Sequence, residues 1–214
     1  MFDNHYISWR KSRMDGICKY TDDSFFPGKT LFEVGAGHGH NGHMFHEKGC
    51  IVTCTDARSE HVVSGKLLHP HLDFYLFDCE KDVPTKHDIL LHWGVLYHLQ
   101  NVDDHFAKIA NSCDYLFLET EVCDSNDDLV LTVHEHNGYD QSYSTLGSRP
   151  SQLRVESLLR AHGFSYQLIL DPILNSDFHK YDWKIENSNT WKHGLRRFWI
   201  AWKHGMQSPI KKVL

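Results

Sequence analysis

LFEVGAGHGHNG, residues 31–42, decides the fold of this chain. Apolar residues run into Glu33, and three glycines then alternate at Gly35, Gly37 and Gly39. Glycine has no Cβ, so it accepts positive φ and lets the backbone lie close to a ligand. The pattern predicts a strand that ends in a ligand-binding turn. The helix that should follow would point its free N–H groups at the same place.

Two later acidic residues follow predicted strands. Strand-like runs at 50–57 and 72–77 end beside Asp56 and Asp78. In a doubly wound sheet the carboxyl ends of neighbouring strands line one crevice, so we expect Glu33 and both aspartates to face one ligand. A carboxylate at Asp56 would accept both hydroxyls of a ribose, and Asp78 would suit the amino group of an adenine. For each acid alone, a solvated strand end or helix cap is the alternative.

A second motif overlaps the glycine turn. Gly37, Gly39 and Gly42 spell GxGxxG, the fingerprint of dinucleotide-binding folds. A nicotinamide-dependent oxidoreductase therefore stays open as an alternative. The additional strand-end acid at Asp78 favours a different adenine cofactor.

Together these features resemble the class I S-adenosylmethionine-dependent methyltransferases. The first motif of that family is an acid followed by GxGxG, and its later strand-end acids bind ribose and adenine. The resemblance covers about residues 30–203 and implies S-adenosyl-L-methionine as cofactor and S-adenosyl-L-homocysteine as product. It implies the following cofactor-binding residues: Glu33, Gly35, Ala36, Gly37, Gly39, Asp56, Ala57, Asp78, Cys79, His92, Trp93, Gly94 and Tyr97.

The rest of the chain alternates helical and strand-like patterns, as a doubly wound α/β sheet requires. Helices are predicted at about 5–20, 40–48, 59–68, 102–113 and 150–164, and further strands at 87–93, 115–122, 165–171 and 196–203. The resemblance implies a seven-stranded Rossmann-like methyltransferase sheet of order 3-2-1-4-5-7-6, with strand 7 antiparallel. An antiparallel strand at this end of the sheet is not expected for a nicotinamide-dependent dehydrogenase.

Composition predicts one globular domain over 1–214, because 41% hydrophobic and 23% charged residues are ordinary globular values. Residues 1–29 are predicted to be a helical lead-in and 205–214 a loosely held tail. The long connections 122–149 and 171–194 are expected to be substrate-side insertions. No apolar run is long enough to cross a bilayer, so we expect a cytoplasmic protein without a membrane partner, as a monomer or homodimer.

Histidine is unusually abundant, with 18 residues. The spacing of three between His40, His43 and His46 would bring imidazoles together on a helix. No cysteine or carboxylate set completes a recognisable zinc site, so the sequence predicts no bound metal.

By the same resemblance, the segment after the predicted strand 87–93 should lie beside the methionine portion of the cofactor and the acceptor. Tyr97 and His98 are the candidate catalytic residues there, and His98 is the candidate general base because imidazole titrates in the useful range. A solvent-facing histidine at a helix start is the alternative for His98. Tyr139 and Tyr143 are candidate substrate contacts from the first insertion.

A narrower resemblance is to the tRNA wobble-uridine carboxymethyltransferases, which use carboxy-S-adenosyl-L-methionine. It rests on GVLYH (94–98), LETEVCDSND (118–127), Tyr139 with Gln141, and RPS (149–151). It implies that Tyr97 and Arg197 hold the extra carboxylate, and that Trp9 and Arg10 correspond to a Trp-Lys pair.

The narrower resemblance has two alternatives. Arg197 beside Arg196 at a strand start is also typical of a solvated edge pair. Nucleic-acid binding relies on clustered Lys and Arg, and this chain has 22 basic against 28 acidic residues. A small-molecule acceptor is therefore favoured over RNA, and methyl over carboxymethyl transfer.

Overall fold

The computed structural model describes residues 4–135 and 142–211. The helices in these ranges are α1 (Asn4–Tyr20), α2 (His40–Glu47), α3 (Ser59–Leu68), α4 (Val102–Ile109) and α5 (Gln152–Ala161). The strands are β1 (Thr30–Glu33), β2 (Ile51–Asp56), β3 (Asp73–Leu76), β4 (His87–Trp93), β5 (Cys113–Glu121), β6 (Val130–His134), β7 (Leu146–Pro150), β8 (Phe164–Ile169) and β9 (Arg196–Lys203). Across the same ranges, no helix is both long enough and apolar enough to cross a membrane.

Seven of the described strands form one sheet, in the order β3-β2-β1-β4-β5-β9-β8. The pairs from β3 to β5 are parallel, and β9 runs antiparallel to both β5 and β8. The α/β class, the seven strands and the antiparallel last strand are confirmed. The numbering differs from the prediction because β6 and β7 form a separate antiparallel pair inside 122–149, where only a connection was expected.

The central strands β4 and β5 are buried on both faces. Leu90 and Leu116 pack into the cluster on one face, whereas Ile89 and Phe117 pack into the cluster on the other. Successive strand residues point to opposite faces, so a strand covered on both sides is a continuous apolar run. Polar side chains buried at the carboxyl ends of these strands are therefore exceptions that belong to the site described below.

Two predicted helix boundaries were wrong. The helix predicted over 102–113 ends at Ile109, because Ser112 donates to the Ile109 carbonyl from both its N–H and its hydroxyl and turns the chain into β5. The helix predicted over 150–164 begins at Gln152, after Ser151 caps it by accepting a hydrogen bond from the Arg154 N–H.

The segment predicted as a loose tail is attached to α1. Ile210 bridges to Thr21, the Lys211 N–H donates to the Tyr20 carbonyl (2.8 Å), and Lys211 Nζ donates to the Cys18 carbonyl (2.8 Å). The last turn of a helix leaves carbonyls without intrahelical partners, and the tail supplies donors to them.

Candidate functional site

A cavity opens at the carboxyl ends of β1, β2, β3 and β4, with α1 along one wall. Its volume is about 1090 Å³ including the open mouth. The predicted site residues on its wall are Gly35, Ala36, Gly37, Asp56, Ala57, Asp78, Cys79, Trp93, Gly94, Tyr97, His98 and Tyr143. Glu33, Gly39, His92 and Arg197 are not on the wall, and Tyr139 lies outside the described residues.

The glycine turn requires glycine for both conformation and space. Gly35, Gly37 and Gly39 all have positive φ, between 55° and 80°. A Cβ on Gly35 would lie 2.4 Å from Val95 Cγ2, and one on Gly39 would lie 2.3 Å from the Phe74 ring. The turn is thus pressed against β3 and the chain after β4, which leaves its backbone facing the cavity.

Asp56 closes the turn from the end of β2. One carboxylate oxygen accepts from the Gly37 N–H (2.9 Å), and the other accepts from the Arg58 N–H (2.9 Å) and lies 3.1 Å from His61 Nδ1. The carboxylate is only 7% exposed, yet it lies on the cavity wall. Each oxygen has two lone pairs, so the side chain is fixed in place and still has acceptor capacity for a ligand.

Asp78 lies on the same wall, one strand further along the sheet. Its carboxylate accepts from the Glu80 N–H (3.0 Å) and pairs with Lys81 Nζ (2.7 Å). Asp56 and Asp78 therefore border one cavity, as adjacent parallel strand ends should.

Glu33 lies beneath the turn. Its buried carboxylate accepts from the Gly42 N–H (2.9 Å) and from Asn41 Nδ2 (3.1 Å), both in the first turn of α2. Burial raises the pKa of Glu33 to about 7, against the opposing effect of these donors. In the structure this acid anchors the helix that follows the glycine turn.

His92 also points away from the cavity. Its Nε2 lies 2.7 Å from His105 Nε2, and His105 Nδ1 lies 3.1 Å from the Cys79 carbonyl. Burial and the neighbouring His105 keep the pKa of His92 well below its ordinary value. The pair supports Cys79, which is on the wall, from behind.

The helix α1 contributes a cationic wall to the cavity. The sequence patterns had indicated only Trp9 and Arg10 of this wall. Trp9, Arg10 and Arg13 line the cavity. Arg13 donates to Glu119 Oε2 (3.3 Å) and lies over the Trp9 ring, 4.0 Å from its centroid. Arg10 makes no ion pair with a carboxylate of the described residues, and burial followed by the charge of Arg13 lowers its pKa. The wall therefore carries a cation that no carboxylate of residues 4–135 and 142–211 neutralises.

Tyr97 joins this wall to the antiparallel end of the sheet. Its hydroxyl accepts from Arg196 Nη2 (3.1 Å), and Arg196 Nη1 donates to Glu119 Oε1 (3.0 Å). Burial raises the pKa of Tyr97 to about 12, so the phenol is neutral at physiological pH. Glu119 thus bridges two arginines, one from α1 and one from β9.

A second carboxylate of β5 extends these contacts. Glu121 lies 3.5 Å from Arg196 and 2.7 Å from Arg149 Nε, and Arg149 Nη1 donates to Glu135 Oε1 (3.0 Å). Although burial raises the pKa of Glu121, His193 and the two arginines lower it to about 2. We call the six buried charged residues the ion network: Arg13, Arg149, Arg196, Glu119, Glu121 and Glu135.

His98 is paired with a carboxylate from the first insertion. Its Nδ1 lies 2.5 Å from Glu135 Oε2, and the Ser142 N–H also donates to that oxygen (2.8 Å). Burial opposes ionisation of Glu135, but His98, Ser142 and Arg149 together lower its pKa. Because Nδ1 is engaged and the ring lies on the cavity wall, Nε2 is the nitrogen available to a ligand.

The hairpin and the turn that carries His98 are in backbone contact. A Cβ on Gly147 of β7 would lie 2.4 Å from Glu135 Oε1 and 2.6 Å from the Tyr97 carbonyl oxygen. Only glycine fits at this crossing, which holds the two segments at a fixed distance.

Both interpretations of Arg197 were wrong. The side chain is 2% exposed, donates to the carbonyls of Tyr181 (2.9 Å) and Trp183 (3.0 Å), and does not reach Tyr97. Adjacent strand residues point to opposite faces, so Arg196 instead meets Tyr97. The arginine pair is buried on both faces of β9, in place of a solvated edge.

The two insertions contribute differently. The first supplies Tyr143 to the cavity wall and Glu135 as the partner of His98, whereas the second has no residue on the wall. The second acts through α1, since Trp9 Nε1 donates to the Tyr181 hydroxyl (2.6 Å) and His179 stacks on the Trp9 ring. The alternating acids of LETE (118–121) in an apolar strand were the signal that would have revealed the ion network.

No protein-family model and no curated protein sequence matches this chain. Solved structures do match, and several of them are described as S-adenosylmethionine-dependent methyltransferases. The N-terminal domain of EvdMO1, crystallised in the presence of SAH and D-fucose, has a TM-score of 0.68 and 14% identity over 92% of this chain and 82% of that domain.

Two further structures are similar. A putative S-adenosylmethionine-dependent methyltransferase from Listeria monocytogenes has a TM-score of 0.63 and 15% identity, over 91% of this chain and 99% of that one. Magnesium protoporphyrin IX methyltransferase from Synechocystis PCC 6803, with bound SAM, has a TM-score of 0.62 and 13% identity, over 92% and 80%. At such identities the likeness shows the class I methyltransferase fold.

Proposed function

We propose that this protein is an S-adenosyl-L-methionine-dependent methyltransferase acting on a hydroxyl or amine of a small molecule. The observation that carries the proposal is the single cavity that brings together the positive-φ glycine turn, Asp56, Asp78 and His98. Solved structures of the same fold contain SAM or SAH, which supports the same cofactor here.

The residues present fit this cofactor from end to end. Asp56 has acceptor capacity left for a ribose hydroxyl, and Asp78 for an adenine amino group. The backbone of Gly35–Gly37 and the side chain of Trp93 would flank the methionine portion. The cationic Arg10, which forms no ion pair within the part of the chain that the structure describes, would pair with the carboxylate of that portion.

The chemistry requires little beyond alignment. The bound cofactor supplies a methyl group on a sulfonium, which is already an activated electrophile. The chain must hold an acceptor in line with that bond and exclude water. His98 would take the acceptor proton at Nε2, while Glu135 holds Nδ1 and stabilises the resulting imidazolium.

The charge balance favours a methyl donor over a carboxymethyl donor. Arg13, Arg149 and Arg196 each pair with glutamates of the ion network, so none is left for an additional carboxylate. Outside the ion network, the described wall carries Arg58, which lies over the Tyr143 ring, and Arg10, with which the methionine carboxylate would pair. An uncompensated buried carboxylate is costly.

A small molecule is the proposed acceptor class. The cavity is a concave site walled by apolar and aromatic side chains with a few polar groups, as small-molecule sites are. The acidic excess of 28 over 22 basic residues gives no basic surface for RNA. EvdMO1, a protein of similar fold, was crystallised in the presence of a sugar. Tyr143, 60% exposed at the rim, would contact the acceptor.

Ligand-induced stabilisation tests the cofactor. At 100 times its Kd, a ligand raises the free energy of unfolding by about 2.7 kcal/mol. We expect SAH to raise the melting temperature and NADH to leave it unchanged. Asp56→Ala should abolish the SAH effect, whereas Asp73→Ala, at an exposed position on the same sheet edge, should retain it. Stabilisation by NADH alone would overturn the proposal in favour of an oxidoreductase.

A further inference from the structure

We propose that His43, His69 and His71 form a binding site for a divalent transition metal such as Zn²⁺. Each can offer a ring nitrogen, and the three nitrogens all lie within 4.8 Å of one another. Neutral imidazole is the commonest protein ligand for such ions. The site is separate from the proposed function, since none of the three residues lines the cavity.

The geometry is close to that of a bound ion. His43 Nδ1 and His71 Nε2 are 3.1 Å apart, and the rings of His43 and His69 stack with centroids 4.7 Å apart. Two ligands at Zn–N distances of about 2.0–2.1 Å in a tetrahedron are about 3.4 Å apart. The wider separations close by rotation of His71, whose side chain is exposed and therefore has room to turn.

The surroundings supply the outer contacts that metal ligands need. His69 Nε2 lies 3.3 Å from His40 Nδ1, which leaves His69 Nδ1 for the ion. The His46 ring packs beside that of His71, with centroids 4.9 Å apart. Outer partners of this kind fix the orientation and tautomer of the ligands.

The three proposed ligands come from two separate segments of the chain. His43 belongs to α2, and the other two belong to the turn between α3 and β3. An ion bound there would cross-link them, so metal binding should stabilise the folded state.

The test is calorimetric titration of ZnCl₂ into tag-free, EDTA-treated protein at pH 8. We expect one tight equivalent for the wild type and at least tenfold weaker binding for His71→Ala. His204→Ala removes an exposed histidine outside the cluster and should bind like the wild type. Equal binding by His71→Ala and wild type, or only weak binding at several equivalents, would overturn the proposal.

Two further readouts make the result independent of folding defects. Before metal is added, circular dichroism should give His71→Ala the same melting temperature as the wild type, and Zn²⁺ should raise only that of the wild type. Co²⁺ should give visible d–d bands of a nitrogen-rich tetrahedral site in the wild type and not in His43→Ala. If His71→Ala is unfolded, His71→Gln takes its place, and retention of Zn²⁺ binding by that variant contradicts the site.

Discussion

The two ends of the cavity are built in different ways. At the nucleoside end, which comprises the glycine turn, Asp56 and Asp78, Asp56 is held by Gly37, Arg58 and His61, all within 19 residues of it. At the transfer end, which comprises Tyr97, His98 and the ion network, contacts join residues up to 106 positions apart, such as Arg13 and Glu119.

The difference separates ligand binding from stability. At the nucleoside end, the buried Asp56 is held mainly by backbone N–H donors and Asp78 is partly exposed, so Asp78 can be changed without stranding a buried charge. The transfer end buries three carboxylates and three guanidinium groups that compensate one another. Removing one partner of a buried pair leaves the other uncompensated in a medium of low dielectric constant.

The largest expected effect is on the free energy of unfolding of Glu119→Gln. This change leaves Arg13 without its carboxylate partner and leaves Arg196 with Glu121 alone, and it should cost about 3–5 kcal/mol, as for other broken buried pairs. Asp78→Asn at the nucleoside end removes only a partly exposed ion pair with Lys81 and should cost at most about 1 kcal/mol. Urea denaturation measures both. Equal costs would erase the distinction between the two ends.

Next is catalysis. His98→Ala should lower the rate of methyl transfer from radiolabelled SAM to a panel of monosaccharides and phenols at least about 100-fold, as loss of a general base does. The affinity for SAH should stay within about twofold, because the nucleoside end is untouched. His134→Ala, an exposed neighbour of Glu135, is the control and should keep full activity. An unchanged rate for His98→Ala would remove His98 from the mechanism.

Arg10→Gln should weaken SAH binding about tenfold or more, since a charge-assisted hydrogen bond contributes about 1.5–3 kcal/mol. The affinity for 5′-methylthioadenosine, which has no carboxylate, should not change. Lys11→Gln alters the exposed neighbour and should affect neither ligand. Isothermal titration calorimetry gives all the constants. Equal weakening of both ligands would place the role of Arg10 at the nucleoside end instead.

The smallest effect concerns Glu33, which supports the nucleoside end from below. Because burial raises its pKa to about 7, the native state keeps a proton that the unfolded chain has already released. This contribution to stability is complete below the unfolded pKa and is lost as the pH rises through 7.

As the pH rises from 5 to 7, the free energy of unfolding of the wild type should therefore fall relative to that of Glu33→Gln by about 1 kcal/mol per pH unit. Urea denaturation at pH 5, 6 and 7 measures the difference between the two proteins, which cancels the titration of the histidines. Parallel pH profiles would mean that Glu33 is ionised throughout.

The predictability of the site from sequence follows the same division. The nucleoside end was predictable because strand, turn and acid are neighbours in the chain, and parallel strand ends necessarily share one edge. The ion network was not, because the partner of Glu119 depends on which face of β9 each arginine occupies. A shift of one residue along a strand moves a side chain to the opposite face of the sheet. The prediction placed Arg197 beside Tyr97, whereas Arg196 makes that contact.

The histidines show the same limit. The sequence shows the regular spacing of His40, His43 and His46. The other two proposed ligands, His69 and His71, begin 26 residues after His43, and the β2–α3–β3 crossover brings them next to it. The hairpin β6–β7 was missed for a related reason. Its strands pair with each other and not with the main sheet, so the alternation of strands and helices that predicts a doubly wound sheet does not predict them.

The glycine at position 147 has a consequence for the candidate base. The hairpin and the Tyr97–His98 turn meet there without a side chain between them, so a larger residue would push the two segments apart. The exposed ring of Tyr143 lies on the wall of the same cavity. In the proposed mechanism, the base His98 is therefore already paired with Glu135 before an acceptor binds.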